Sequence, residues 1–306
     1  MEEQVAVFVG SSLRLAMPLM LAATGELISE RAGVLNMSVE GMMLTSAFAS
    51  AVGSWSTGSP MVGLACGMAA VFPLALAQGY LSIKLRANQI VTGIGINILA
   101  LGATTLAYRQ IFGARSREQI PGFEKINVPG LCDIPVIGPA LFQQVGLVYA
   151  GLALAVLVWW MLRHTAFGLS VRAVGEDPVA AAKAGINVER VRYYSVLCTG
   201  FFAALAGSFL SIGDIHTFTE GMTNGAGYLA TAAVIFGGWR MGRTALACLL
   251  FGAATAMQFQ LPALGIHLPT AVLIMLPYLL ALAAMAGSAG KQNAPSALTL
   301  PYRHAT

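Results

Sequence analysis

Apolar runs of roughly 15 to 25 residues, broken here and there by glycine and closed by polar or charged residues, recur along the whole chain. They predict helices at approximately 10–28, 37–53, 60–82, 88–112, 143–162, 191–212, 226–239, 244–260 and 270–287. Crossing a hydrocarbon core takes about 20 apolar residues, so most of these can span and the shortest cannot do so comfortably. Short, glycine-interrupted segments suit broken helices, whose freed backbone groups line a cavity instead of facing lipid. The expected fold is all-α: a polytopic membrane protein with about nine transmembrane or partly re-entrant helices. A weak internal repeat divides it into two halves, since Ser38-Val39-Glu40-Gly41-Met42 and Thr219-Glu220-Gly221-Met222 each lead into a short apolar span. One transmembrane domain is expected over residues 1–287. It includes a polar loop at 163–192 and an opposite loop at 113–142, and a tail over 288–306 is expected to be poorly ordered.

Composition agrees with that pattern. The chain of 306 residues is 57% hydrophobic and 10% charged, with a mean hydropathy of +0.74, against about a quarter charged in soluble domains. The basic residues then orient it. Twelve fall on one side, from Arg31 through Lys84, Arg86 and the Arg163–Arg192 loop to Arg240, Arg243 and the tail, and four on the other: Arg109, Arg115, Arg117 and Lys125. The twelve mark the cytoplasmic side, with the N terminus outside and the C terminus inside, provided that 37–53 and 226–239 both cross. The net charge of +4 reflects this retention, and no basic, aromatic-interleaved patch points to nucleic acid. A basic n-region is absent, so no cleavable signal peptide is expected. Three cysteines lie in apolar segments and Cys132 lies in the outer loop, which implies no disulfide framework.

The most distinctive stretch is a polar island from Gly175 to Asn187. Asp177 can cap a helix, Pro178 suits the first helical position, and Gly185 can close the end in a left-handed conformation. The resulting helix, about 10 Å long, is far too short to span, and its alanine surface lets another backbone approach. It reads as a docking helix for a soluble partner, or as a capped connector between spans.

The four histidines are dispersed and no His or Cys pair has metal-ligand spacing, so no metal is expected. Gly93-Ile94-Gly95 lacks the rest of a dinucleotide motif and reads as helix packing. No G-x-x-x-x-G-K-[ST] loop occurs, so the chain has no ATPase site or cofactor of its own and transport energy must come from elsewhere. An ion gradient would call for intramembrane charges, and the spans 60–82, 191–212, 244–260 and 270–287 contain none, leaving Arg14, Glu26 and Glu40. A separate ATPase gripping the short helix is the better match.

Three stretches carry a resemblance. Glu176-Asp177-Pro178, Ala180-Ala181 and Ala184-Gly185-Ile186-Asn187, followed by Arg190-Val191-Arg192, resemble the cytoplasmic coupling loop of ABC importer permeases of the simple-sugar, nucleoside and branched-chain amino acid group. Gly25 to Asn36, running on to Val39-Glu40-Gly41-Met42-Met43, and Phe218 to Thr223, followed by Gly225-Ala226-Gly227-Tyr228, are similar to signatures of the nucleoside-type permeases. The resemblance implies a non-enzymatic permease subunit of an ATP-driven importer in the cell membrane. Its cargo would be nucleosides or related simple sugars; the alternatives are a branched-chain amino acid permease and an ion-coupled transporter. The implied partners are a cytoplasmic ABC ATPase that binds ATP, an extracytoplasmic substrate-binding protein, and a second permease subunit, a related chain or a second copy. Gly175, Glu176, Asp177, Pro178, Ala181, Ala184 and Gly185 would couple to the ATPase, with Glu176 and Asp177 capping and orienting the helix. Asn36, Glu40, Asn97, Glu220, Thr223 and Asn224 are candidates for the substrate path. Helix capping also fits Glu40 and Glu220, and a helix-to-helix hydrogen bond also fits Asn97.

Overall fold

A computed structural model describes residues 2–113, 119–127, 137–263, 265, 269–288 and 294–302. Arg115, Arg117, Cys132, His267, Lys291, Arg303 and His304 therefore lie outside the described residues. Among those described, six helices are long and apolar enough to cross a membrane. These spans are Val5–Arg31, Pro60–Lys84, Gln89–Ile111, Gly146–His164, Val188–Ile215 and Met241–Ala263.

The first span belongs to α1 (Glu2–Arg31), which is buried continuously from Ala16 to Glu30. That stretch is apolar apart from Thr24, Glu26, Ser29 and Glu30, and helices surround it: α6 (Gly146–His164), α9 (Val188–Ser208), α10 (Ala226–Phe236) and α11 (Met241–Ala263) all pack against it. α2 (Val39–Thr57) has a span's length but carries Glu40 and six hydroxyl side chains. Those groups are tolerated because α3 (Pro60–Gly79), α4 (Gln89–Ile111) and α9 enclose the helix. At its centre Ser46 donates to the Ala204 carbonyl at 2.6 Å, and Ser46 and Ser50 lie 2.9 and 2.7 Å from the Ser208 hydroxyl. The close approach depends on Gly207, where a Cβ would collide with the Met43 carbonyl.

Two spans end in π-helical turns, Tyr80–Lys84 after α3 and Phe209–Ile215 after α9. The segment expected at 226–239 is shorter than a span. α10 has 11 residues, about 16 Å, and stops at Gly237-Gly238-Trp239, so it is a half-helix that begins inside the bundle. α12 (Thr270–Ser288) packs against α10 and α11.

One small sheet qualifies the all-α reading. In the expected outer loop, β1 (Lys125–Asn127) pairs antiparallel with β2 (Gln143–Val145), which follows the short α5 (Ile137–Phe142). The described part of this loop is bonded to the bundle: Ile120 N–H donates to the His216 carbonyl and Phe123 N–H to Ile212, while Ser54 donates to the Pro121 carbonyl. At the opposite end lie α7 (Ala166–Glu176) and α8 (Pro178–Lys183).

Residues 294–302 correct the expectation for the tail. Ala297 N–H donates to the Gly175 carbonyl at 2.9 Å and Thr299 N–H to Gly33 at 3.2 Å, and Ala297 and Tyr302 are buried. A polar, proline-containing stretch reads as a linker in sequence, yet here its backbone amides find partners in other segments, which orders it.

Candidate functional site

The island at 175–187 folds as a helix closed at both ends. Asp177 has extended backbone angles, and its Oδ1 accepts from the N–H groups of Val179 and Ala180, each at 2.9 Å. At the other end Gly185 adopts φ +86°; its N–H donates to Ala182 and that of Ile186 to Ala181, both at 3.0 Å. That pair of bonds forms a Schellman closure. Asn187 caps α9 by accepting from Arg190 N–H at 2.9 Å, so only the four residues Ala184 to Asn187 separate α8 from α9.

The seven residues proposed for coupling divide by exposure. Ala181 faces inward, and Gly175 lies so close to the Arg31 carbonyl that a Cβ would not fit. Glu176, Asp177, Ala184 and Gly185 are exposed, along with Val179, Ala180 and Lys183, and Pro178 is half-buried. Glu176 does not cap α8 as expected; its carboxylate accepts from Ser296 Oγ at 3.3 Å. Asp177 alone does the capping, because only it occupies the N-cap position. Arg192, counted in sequence among the basic residues of the cytoplasmic side, is buried. Its Nε donates to the Ala32 carbonyl at 3.2 Å and its Nη1 to Leu300 at 3.0 Å. α8's frame is thus tied to the end of α1, the start of α9 and the 294–302 strap.

The path candidates fall into three groups. Glu40, Asn97 and Thr223 converge. Glu40 Oε1 accepts from Thr223 Oγ1 at 2.6 Å and Gly225 N–H at 2.8 Å, and its Oε2 accepts from Gly227 N–H at 2.7 Å. The carboxylate therefore fills the N-terminus of the α10 half-helix, where backbone donors and the helix dipole favour negative charge. Asn97 Oδ1 accepts from Gly41 N–H, and its Nδ2 donates to the Met37 carbonyl and the Tyr228 hydroxyl, all at 2.8 Å. Eight residues separate Asn97 from the start of α4, about 12 Å, so this knot sits well inside the bundle. Glu40 caps and Asn97 cross-links helices at the point where α10 begins.

Glu220 sits further out, beside the end of α4. Arg109 donates to it from Nε at 2.8 Å and Nη2 at 3.1 Å, a fork-to-carboxylate pair that holds the Glu220 carboxyl below its ordinary pKa. Asn224 has φ +43°, and its carbonyl accepts from Tyr278 OH. Asn36 belongs elsewhere. It is fully buried beside α1, with its N–H donating to Glu26 Oε1 at 2.8 Å and its Oδ1 accepting from Ser38 N–H at 3.1 Å. It shapes the α1–α2 turn and touches none of the Glu40 group in these bonds.

The intramembrane charges have partners too. Arg14 pairs with Asp214 at 3.0 Å, and Glu30 accepts from Trp239 Nε1 at 2.6 Å. Sequence reasoning missed Tyr228, Tyr278 and the Arg109 link. Tyr228 stood within a quoted signature, whereas nothing local marks Arg109 as the partner of a residue 111 positions away.

A bundle of lipid-length helices around a broken half-helix, with a capped helix projecting at one end, defines a multi-pass transport protein. Comparison with known proteins gives the family: the one described as branched-chain amino acid transport system / permease component matches residues 8–285, and the chain belongs to it. It is 37% identical over 308 residues to the guanosine ABC transporter permease protein NupQ of Bacillus subtilis, covering 97% of each chain. It is 33% identical over 311 residues to the nucleoside ABC transporter permease protein NupC of Lactococcus lactis subsp. cremoris, covering 97% of this chain and 96% of the relative. It is also 37% identical over 268 residues to a Haloferax volcanii protein provisionally named glucose ABC transporter permease TsgC13, with 86% and 80% covered. The chain is a permease subunit of an ABC importer, and the ATPase and the binding protein are separate partners.

Proposed function

We propose that this permease forms one half of a translocation pore for nucleosides or related simple sugars, with a related permease chain as the other half and α8 as the lever held by the ATPase. The full-length similarity to permeases named for guanosine and nucleosides carries the cargo class. The geometry favours the same class over an amino acid. Half-helix N-termini in transporters commonly receive an anionic substrate group, and here Glu40 already occupies that of α10. A neutral, polyhydroxylated cargo needs no such site.

The lever assignment rests on the closure of α8 at both ends and its exposed Val179-Ala180 and Lys183-Ala184 surface. The skew of basic residues supports a cytoplasmic position for that end. α1's last turn and the strap both lie beside Gly175, while α1 begins some 45 Å away at the other end. That arrangement suits an outer N terminus and an inner C terminus.

Uptake should be measured in vesicles carrying this chain, its partner permease and the binding protein, with and without the ATPase, over purine and pyrimidine nucleosides, pentoses and branched-chain amino acids. ATP-dependent nucleoside or pentose uptake is expected. Uptake independent of the ATPase, or confined to the amino acids, would overturn this reading.

A further inference from the structure

The cavity of about 430 Å³ at the α8 end of the bundle is used neither by the coupling loop nor by the Glu40 knot. Arg31, Arg163, Arg172 and Arg240 line it with Trp159 and Trp239, drawn from α1, α6, α7 and the turn before α11. No carboxylate is among its lining residues. The charge of Glu176 on α7 reaches Arg31 ahead of the like charges of Arg172 and Arg240. Arg31 Nε is fixed on the Trp239 carbonyl at 2.8 Å, and the Arg163 guanidinium lies 5.6 Å from the centre of the Trp159 ring. Met241 and Gly242 complete the wall, and as the first residues of the 23-residue α11 their N–H groups have no intrahelical acceptor. Four guanidiniums and a helix start around a concave, partly apolar space call for a phosphate.

The surroundings say whose phosphate it is. Val156, Trp159, Trp160 and Arg163 form one exposed face of α6 at helical spacing, and Gly242, Leu246, Leu249 and Leu250 one of α11. Both apolar stripes run from the cavity along the spans, toward the level of acyl chains. Tryptophan at the rim suits the headgroup boundary. We infer that this cavity binds the phosphate headgroup of an anionic phospholipid, with its acyl chains lying along the exposed stripes of α6 and α11. Basic pockets between transmembrane helices recognise such headgroups by charge, and two tails along apolar side chains add area. The site adjoins Arg31 and Arg172, so a bound lipid would brace α1 against α7, the helix that leads into α8.

The test is native mass spectrometry of the purified permease complex, titrated with phosphatidylglycerol and, separately, with phosphatidylcholine of the same acyl chains. The intact protein should take up phosphatidylglycerol preferentially. The substitutions Arg163→Gln, Arg172→Gln and Arg240→Gln should weaken that binding roughly fivefold each, leaving phosphatidylcholine unaffected. Arg163→Lys, which keeps the charge, should retain most of the preference and controls for folding. Equal binding of both lipids by the intact complex would overturn the inference. So would a triple variant that keeps the preference, or one whose lipid binding is unchanged while the ATPase subunit dissociates, since the cavity would then be an acidic protein contact.

Discussion

Gly185 closes α8 at φ +86°, and a Cβ there would meet nothing within 4 Å. A side chain at this position therefore brings backbone strain of about 1 to 3 kcal/mol without a steric clash inside the chain. Gly185→Val should leave insertion and ATPase co-purification in place while lowering substrate moved per ATP hydrolysed, measured in the same vesicles. Glu40 makes a different kind of contribution, since it satisfies a hydroxyl and two backbone donors together. Glu40→Gln keeps the size but turns amide hydrogens toward donors, and should cost about 2 kcal/mol, seen as a lower melting temperature in detergent. Glu220 titrates with a defined sign. Its folded pKa is depressed by Arg109, so the pair contributes above the ordinary glutamate value and is lost as pH falls through the lower folded one. Hydrogen exchange over residues 217–224, corrected for intrinsic rates, should be slower at about pH 7 than at about pH 3, a difference that Glu220→Gln removes.

At the scale of elements, the long helices were legible because an apolar run must be helical in lipid, and Asp177 and Gly185 announced their caps through residue type alone. What sequence could not reveal was partnership at a distance. Glu40 and Gly225 are 185 positions apart, and Asn97 and Tyr228 are 131 apart, so neither pairing leaves a local signal. The break that makes α10 a half-helix was visible only as ambiguity about whether 226–239 crosses. The strap was missed because its order comes from main-chain bonds, to which side-chain hydrophobicity is blind. Ala297→Pro removes the amide that Gly175 accepts from, so hydrogen exchange should rise in 166–187 and stay unchanged in α3 and α4; Ala297→Gly keeps the donor and should have little effect.

Over the whole molecule, two mechanical regions are set apart along the membrane normal. One is the α8 end, where α1, α7, α9 and the strap are bonded together; the other is the Glu40–Asn97 knot, where α2, α4 and α10 meet. α1 joins them, buried along half its length and running from the strap past the half-helix. In the lever reading proposed above, α1 is the member through which motion of α8 would reach the broken helix.

The strap also orders events during synthesis. Residues 294–302 follow every element they hold, so while the chain is being made the Gly175 carbonyl and the Arg192 Nη1 have yet to meet Ala297 and Leu300. A ribosome that stalls after α12 leaves a permease with all its described spans but an unfastened coupling loop. The frame around α8 is therefore closed only after α12 has been made.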